Sequence, residues 1–166
     1  MHRSTRCPRT GQKLMSTPNA MLPTDANPSR KKETMITDQE LKIARQAESL
    51  GVDIAPDTQG LLLPGDLGGW FPHARRILFA PGLGYRNRIH TMAHELGHAI
   101  HGHPAGHDPR HERQADDFAA NLLIDPHAYI EAEAIYEGNE RAIAHELGIT
   151  LGLLQHWKTQ YERKAA

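Results

Sequence analysis

The rhythm of apolar and polar positions changes three times along the chain. Residues 1 to about 35 show no apolar period at all. The stretch from Thr37 to Leu50 then reads as a helix: Thr37 with Glu40 three residues on is a capping box, and Gly51 supplies the stop. Between Val52 and Ala80, short apolar runs (Leu61-Leu62-Leu63 and Ile77-Leu78-Phe79-Ala80) are punctuated by Gly60, Pro64, Gly65, Gly68, Gly69 and Pro72. This pattern predicts two or three short strands joined by turns. Pro81-Gly82 ends the last of them. Everything after is helical in pattern, with breaks at Gly102 to Pro109, at Asp125-Pro126, near Gly138 and at Gly148. Helix, small sheet and helix cluster in that order point to an α+β fold, a small twisted β-sheet packed on helices, with a helical pair at the C-terminal end.

Composition sharpens this outline. A length of 166 residues is room for one domain, here residues 36–166. Residues 1–35 carry seven Lys or Arg, two acids and four prolines, with too little to bury to offset the entropy of ordering them. They read as a disordered basic tail. The whole chain has a net charge of −1, so removing the tail's +5 leaves the domain at −6. That balance argues against nucleic acid as the main partner. No run of 18 apolar residues exists to span a membrane, and the first twenty residues hold no apolar core of a secretory signal. A lone cysteine, Cys7, cannot form an internal disulfide. Together these lead to the expectation of a cytoplasmic protein.

Histidine is the outlier, with 12 in the chain and seven of them (His90, His94, His98, His101, His103, His107, His111) within 22 positions. His94-Glu95-Leu96-Gly97-His98 is an HExxH sequence. On a helix, residues i and i+4 lie about 40° apart, so both imidazoles face one way and can share a metal ion. Neutral imidazoles suit zinc, and a site with three protein ligands leaves a fourth position for water. Glu95, about 100° round the helix, is placed to take a proton from that water rather than to be a ligand. Ile89, Met92, Ala93, Leu96 and Ile100 form a separate apolar stripe, as an amphipathic helix with a metal-facing edge requires. A shuffled chain of this composition contains HExxH roughly once in 18 trials, so the five residues alone are suggestive only. His145-Glu146-Leu147-Gly148-Ile149 repeats the first four letters but lacks the second histidine.

A third ligand is therefore decisive. A third histidine six positions beyond His98 is missing, because Pro104 stands there. Glu112 opens a second amphipathic helix at the border of its apolar face, where an unpaired carboxylate is costly and a metal would resolve the cost. The plain alternative is a first-turn acid favoured by the helix dipole. His107 or His111, in the loop before it, are other candidate ligands. Asp116, one turn on, is placed to accept from the free nitrogen of a ligating histidine and fix its tautomer.

HTMAHELGHAIHGH followed by ERQADDFAANLLIDP resembles the ImmA/IrrE family of zinc metallopeptidases, in which an AHELGH helix precedes a helix of the form E-x-x-A-[DN]-x-F-A-x-x-L-L-x-P. The matching positions are Glu112, Ala115, Asp116, Phe118, Ala119, Leu122, Leu123 and Pro126. The resemblance covers about residues 37 to 165 and implies a minimal zincin-like fold. It implies one zinc ion held by His94, His98 and Glu112, with Glu95 as catalytic acid and base. It also implies an edge strand at Arg76 to Ala80 on which a substrate segment pairs, and a cytoplasmic protease of phage or mobile-element type. Such an enzyme cleaves a partner repressor to relieve repression.

Ala142 to Lys158, within a helical end of about 139–165, resembles a helix-turn-helix with Gly148 at the turn. Its second helix offers only Gln155, His156 and Lys158 to a nucleic acid, so packing or repressor docking is the better reading. The competing function is a non-proteolytic regulatory module that binds metal or uses this helical pair on DNA. His101 and His103 read as solvated helix-end residues, Trp70 and Phe71 as core, and His127 and Tyr129 as weak candidates for oxyanion stabilisation.

Overall fold

The computed structural model describes residues 37–165, so the basic tail expected at 1–35 lies outside the described residues. The first helix, α1 (Asp38–Leu50), starts from the capping box: Glu40 N–H donates to the Thr37 side chain while the Glu40 carboxylate accepts from the Thr37 N–H at 2.9 Å. Gly51 closes it in the left-handed conformation at φ 62°. Three four-residue strands follow, β1 (Asp53–Pro56), β2 (Gly68–Phe71) and β3 (Arg76–Phe79). β1 pairs parallel to β3 and β2 pairs antiparallel to it, with Ile54 and Trp70 both opposite Ile77.

The sheet order β1-β3-β2 corrects two expectations. The strand at Arg76–Phe79 is central, so it offers no free edge; the outer edge beside the helices belongs to β2. Leu61-Leu62-Leu63 is not a strand but an ordered loop. Its backbone donors go elsewhere, since the buried Asp57 carboxylate accepts the N–H groups of Gln59 (3.1 Å) and Leu62 (2.9 Å). Those bonds hold the Asp57 carboxyl below its ordinary range. Pro64 then removes a donor that a ladder would need.

The remaining chain is helical: α2 (Tyr85–Ile100), α3 (Pro109–Leu123), α4 (Pro126–Tyr136), α5 (Glu140–Glu146) and α6 (Leu151–Ala165). None of the described helices is long and apolar enough to cross a membrane. α2 buries Ile89, Met92, Ala93 and Leu96 against the rest of the core; Ile100, the last member of the stripe expected from its sequence, is exposed instead at the end of the helix. The core continues through Ala119, Ala120 and Leu123 of α3 into Ile143 of α5 and Leu153, Leu154 and Trp157 of α6. α5 and α6 thus contribute side chains to the core. Three polar residues of α6 bond within the chain: Gln155 and Lys158 donate to the Glu140 carboxylate, and His156 bonds Asp117 at 2.7 Å.

Two glycines let backbones approach where the site is built. A Cβ on Gly97 would lie 2.7 Å from the Ala115 Cα, so only glycine allows α2 and α3 to cross this closely. A Cβ on Gly68 would lie 2.3 Å from the Thr91 methyl and 3.3 Å from the Glu95 Cγ, so β2 sits flush on α2 beside Glu95.

Candidate metal centre

The α2–α3 crossing brings His94, His98 and Glu112 together. His94 Nε2 and His98 Nε2 are 3.1 Å apart, and the Glu112 carboxylate lies 3.3 Å from the first and 3.7 Å from the second. These three side chains could hold a metal ion. Glu112 reaches them from the first turn of α3, which begins at Pro109 with Asp108 as its cap, accepting from Arg110 N–H at 2.7 Å.

The far nitrogen of each histidine is occupied. His94 Nδ1 bonds Asp116 at 2.8 Å, so the carboxylate takes its proton and leaves the Nε2 lone pair facing inward. His98 Nδ1 lies 3.0 Å from His103 Nδ1, whose Nε2 lies 2.9 Å from Gln114 Oε1. With both histidines neutral, two nitrogen lone pairs and a carboxylate converge on one point. That arrangement is repulsive unless a proton or a metal cation sits among them, and its two imidazoles and one carboxylate suit zinc.

Electrostatics follows from the same geometry. Burial opposes charge on His94, but the bond to Asp116 and the carboxylates of Glu95, Asp116 and Glu112 outweigh it, and its pKa is raised. Burial and the neighbouring His94 push His98 down to about 4, which keeps it neutral. Asp116 also loses solvent, yet the nearby His90 imidazole, 3.9 Å away, and the hydrogen bond with His94 hold it well below the ordinary carboxylate range. Glu95 is not directed at the cluster as a ligand. Burial first, and then repulsion from Glu112, raise it to about 7 against the opposing pull of His94 and of the nearby Trp70 backbone N–H. A carboxyl poised there can both take and return a proton near neutral pH.

A cleft of about 810 Å³ opens over these residues. One wall is α2 and α3; the other is β2 together with the loop bearing Leu61, Leu63 and Leu67, three leucines at least half exposed. Among the described residues, β2 has no strand on its outer side.

Other expectations fare variously. His103 is not solvated but buried, 5% exposed, and its ring stacks on His111 at 4.0 Å and on His101 at 5.4 Å. The sequence contained a signal for this. The chain leaves α2 through a Schellman turn: Gly102 adopts φ 65° and donates to the Ala99 carbonyl, and His103 N–H donates to the His98 carbonyl at 3.0 Å. Such a turn places the second residue past the cap against the residue five before it. Gln114 carried no signal of its own.

His107 comes within 3.5 Å of Glu112 but is 85% exposed, and His111 is committed to the stack. His90 is half-buried, bonding Thr150 at 3.2 Å and facing Asp116 at 3.9 Å. Neither His127 nor Tyr129 lines the cleft; the Tyr129 hydroxyl donates to Glu133 and its ring packs on Trp157. Trp70 packs partly on the core and, like Phe71, lines the cleft.

No curated protein matches the chain. A family model for the IrrE N-terminal-like domain matches residues 47–157, which contain the sheet, both site helices and the first half of α6. The chain belongs to this family, the ImmA/IrrE metallopeptidases.

Proposed function

We propose that the chain is a zinc endopeptidase, with one zinc ion held by His94, His98 and Glu112, that cuts an extended segment of a partner repressor. The observation carrying this reading is the placement of Glu95. It lies beside the three converging donors, packs on β2 at Gly68, the strand with no partner on its outer side among the described residues, and lines an open cleft.

When bound, zinc supplies a Lewis acid that polarises the scissile carbonyl and acidifies the attacking water. The chain's residues do the rest. A substrate strand added to the outer edge of β2 is held extended, with its scissile carbonyl beside Glu95. Glu95 takes the proton of the water as the oxygen adds to the carbonyl carbon. It then gives that proton to the leaving nitrogen as the C–N bond breaks, which balances the hydrolysis. Asp116 holds the His94 ring in place throughout through Nδ1.

The experiment compares zinc-loaded wild type and Glu95→Gln on repressors encoded by neighbouring genes and on denatured casein. Wild type should release fragments while Glu95→Gln keeps zinc and fold and loses at least about 100-fold in rate. Equal cleavage by Glu95→Gln would remove Glu95 from the mechanism. No cleavage by wild type of any of these proteins would overturn the endopeptidase reading.

A further inference from the structure

We infer that Gln114 and His103 form a hydrogen-bond relay that fixes His98 as its Nδ1–H tautomer, so that α3 sets the protonation pattern of both ligating imidazoles. The inference rests on the reading of His94, His98 and Glu112 as the metal ligands.

The relay follows from what each atom can do. Gln114 Oε1 has only lone pairs, so across 2.9 Å it accepts Nε2–H from His103. A neutral imidazole protonated at Nε2 presents a lone pair at Nδ1. Across 3.0 Å that lone pair takes a proton from His98, which must be Nδ1–H. His98 Nε2 is then a lone pair aimed at His94 Nε2 and Glu112. The opposite amide orientation would reverse every bond and put a hydrogen on the atom a metal needs.

Three features hold the relay in register. The Schellman turn at Gly102 sets His103 beside His98. Stacking between His101 and His111 fixes the His103 ring plane, with an interplanar angle of 16° to His111. Gln114 stands on α3 between Glu112 and Asp116. One helix therefore supplies the acidic ligand, the carboxylate that orients His94 directly, and the amide that orients His98 through a neutral intermediary. The two imidazoles are supported unequally: His94 leans on a charge, and His98 on a dipole whose direction matters.

Gln114 is an exposed residue, so it can be changed without disturbing the core. Gln114→Glu keeps an acceptor facing His103; Gln114→Lys offers only a donor and inverts the relay. The tautomer of His98 is read on zinc-free, ¹⁵N-histidine-labelled full-length protein by two-bond proton–nitrogen correlation, and zinc affinity by competition with a chromophoric chelator. Wild type and Gln114→Glu should both show His98 protonated at Nδ1 and bind zinc within about threefold of each other, while Gln114→Lys moves the proton to Nε2 and weakens zinc about tenfold or more. A purely structural role for Gln114 would change thermal stability and leave the tautomer alone. An Nε2–H His98 in wild type, or one tautomer in all three proteins, overturns the relay. The peptidase reading fails separately: a chain that shows the tautomer dependence and cleaves nothing retains the relay, and one that cleaves but is indifferent to Gln114→Lys loses it.

Discussion

Gly97 on α2 faces the backbone of Ala115 on α3 so closely that a Cβ at position 97 would stand 2.7 Å from the Ala115 Cα and 2.9 Å from its carbonyl oxygen. This one contact determines whether Glu112 and Asp116 reach the histidines. Gly97→Ala should therefore separate the helices, destabilising the fold by about 1–3 kcal/mol and weakening metal retention as well. Calorimetry and elemental analysis of one preparation check both. A variant equally stable and fully loaded would mean that the crossing tolerates a methyl group.

Asp116 supports His94 through a charge-assisted bond at 2.8 Å. Asp116→Ala leaves the His94 tautomer unspecified and should cost about 10–100-fold in zinc affinity. Competition with a chelator measures it. An unchanged affinity would place the orientation of His94 in the packing of α2 instead.

Metal removal should be visible in stability. Three electron-rich side chains converge on one point, so a metal ion that binds there in the folded chain raises the unfolding midpoint by mass action. Chelated protein should melt lower than zinc-loaded protein, and the gap should shrink to nothing in Glu112→Ala combined with His98→Ala. A persistent gap in the double variant would locate the stabilising ion elsewhere.

The leucine-bearing wall of the cleft bears on substrate binding. Leu63 is 70% exposed and its loop is anchored through the Asp57 carboxylate, so Leu63→Ser should leave stability within about 0.5 kcal/mol. Cleavage should show a raised KM with kcat nearly constant, the mark of uniform binding lost. A fall in kcat alone would assign the loop a part in the chemical step.

Acid should loosen α1 before it reaches the core. The Glu40 carboxylate accepts from Thr37 and pairs with Arg88 at 2.6 Å, and its pKa is lowered from the ordinary 4.5, the Thr37 backbone bond being the largest cause. A depressed folded-state pKa contributes stability that is complete above 4.5 and lost as pH falls through the folded value. Glu40→Gln should thus be less stable than wild type by about 1 kcal/mol at neutral pH, with the difference fading below pH 4.5. Melting curves across that range decide it; a constant difference would point to packing instead of charge.

The helical half of the molecule was legible from its sequence because each helix carries its own punctuation. Thr37 and Glu40, Asp108 before Pro109, and Asp125 before Pro126 are local chemistry that needs no distant partner. The juxtaposition of His94, His98, Glu112 and Asp116 could be anticipated for a related reason. Helical period fixes which side chains share a face, and family resemblance supplied the pairing of the two helices. The sheet was less readable. Strands of four residues hold too few alternations to declare a face, and which one lies central depends on pairing across the chain; the edge that the resemblance implies at Arg76 to Ala80 is a strand flanked on both sides. Leu61 to Leu63 has the composition of a strand, but Asp57 captures the backbone that a ladder would use. His103 departs from the helical pattern because it lies past the end of its helix, where position is set by the turn and not by the period.

That turn has a consequence for how such a site can change over time. The five residues His94 to His98 are a unit in linear sequence, but the spacing from His98 through Gly102 to His103 fits only one length. A single insertion or deletion there leaves every ligand intact and the familiar signature readable, yet it swings the outer imidazole away from its partner. Loss of one residue in a surface bend would then produce a chain that passes inspection as a peptidase while holding its metal more weakly. The length of a turn is as much a part of this centre as the atoms that face the ion.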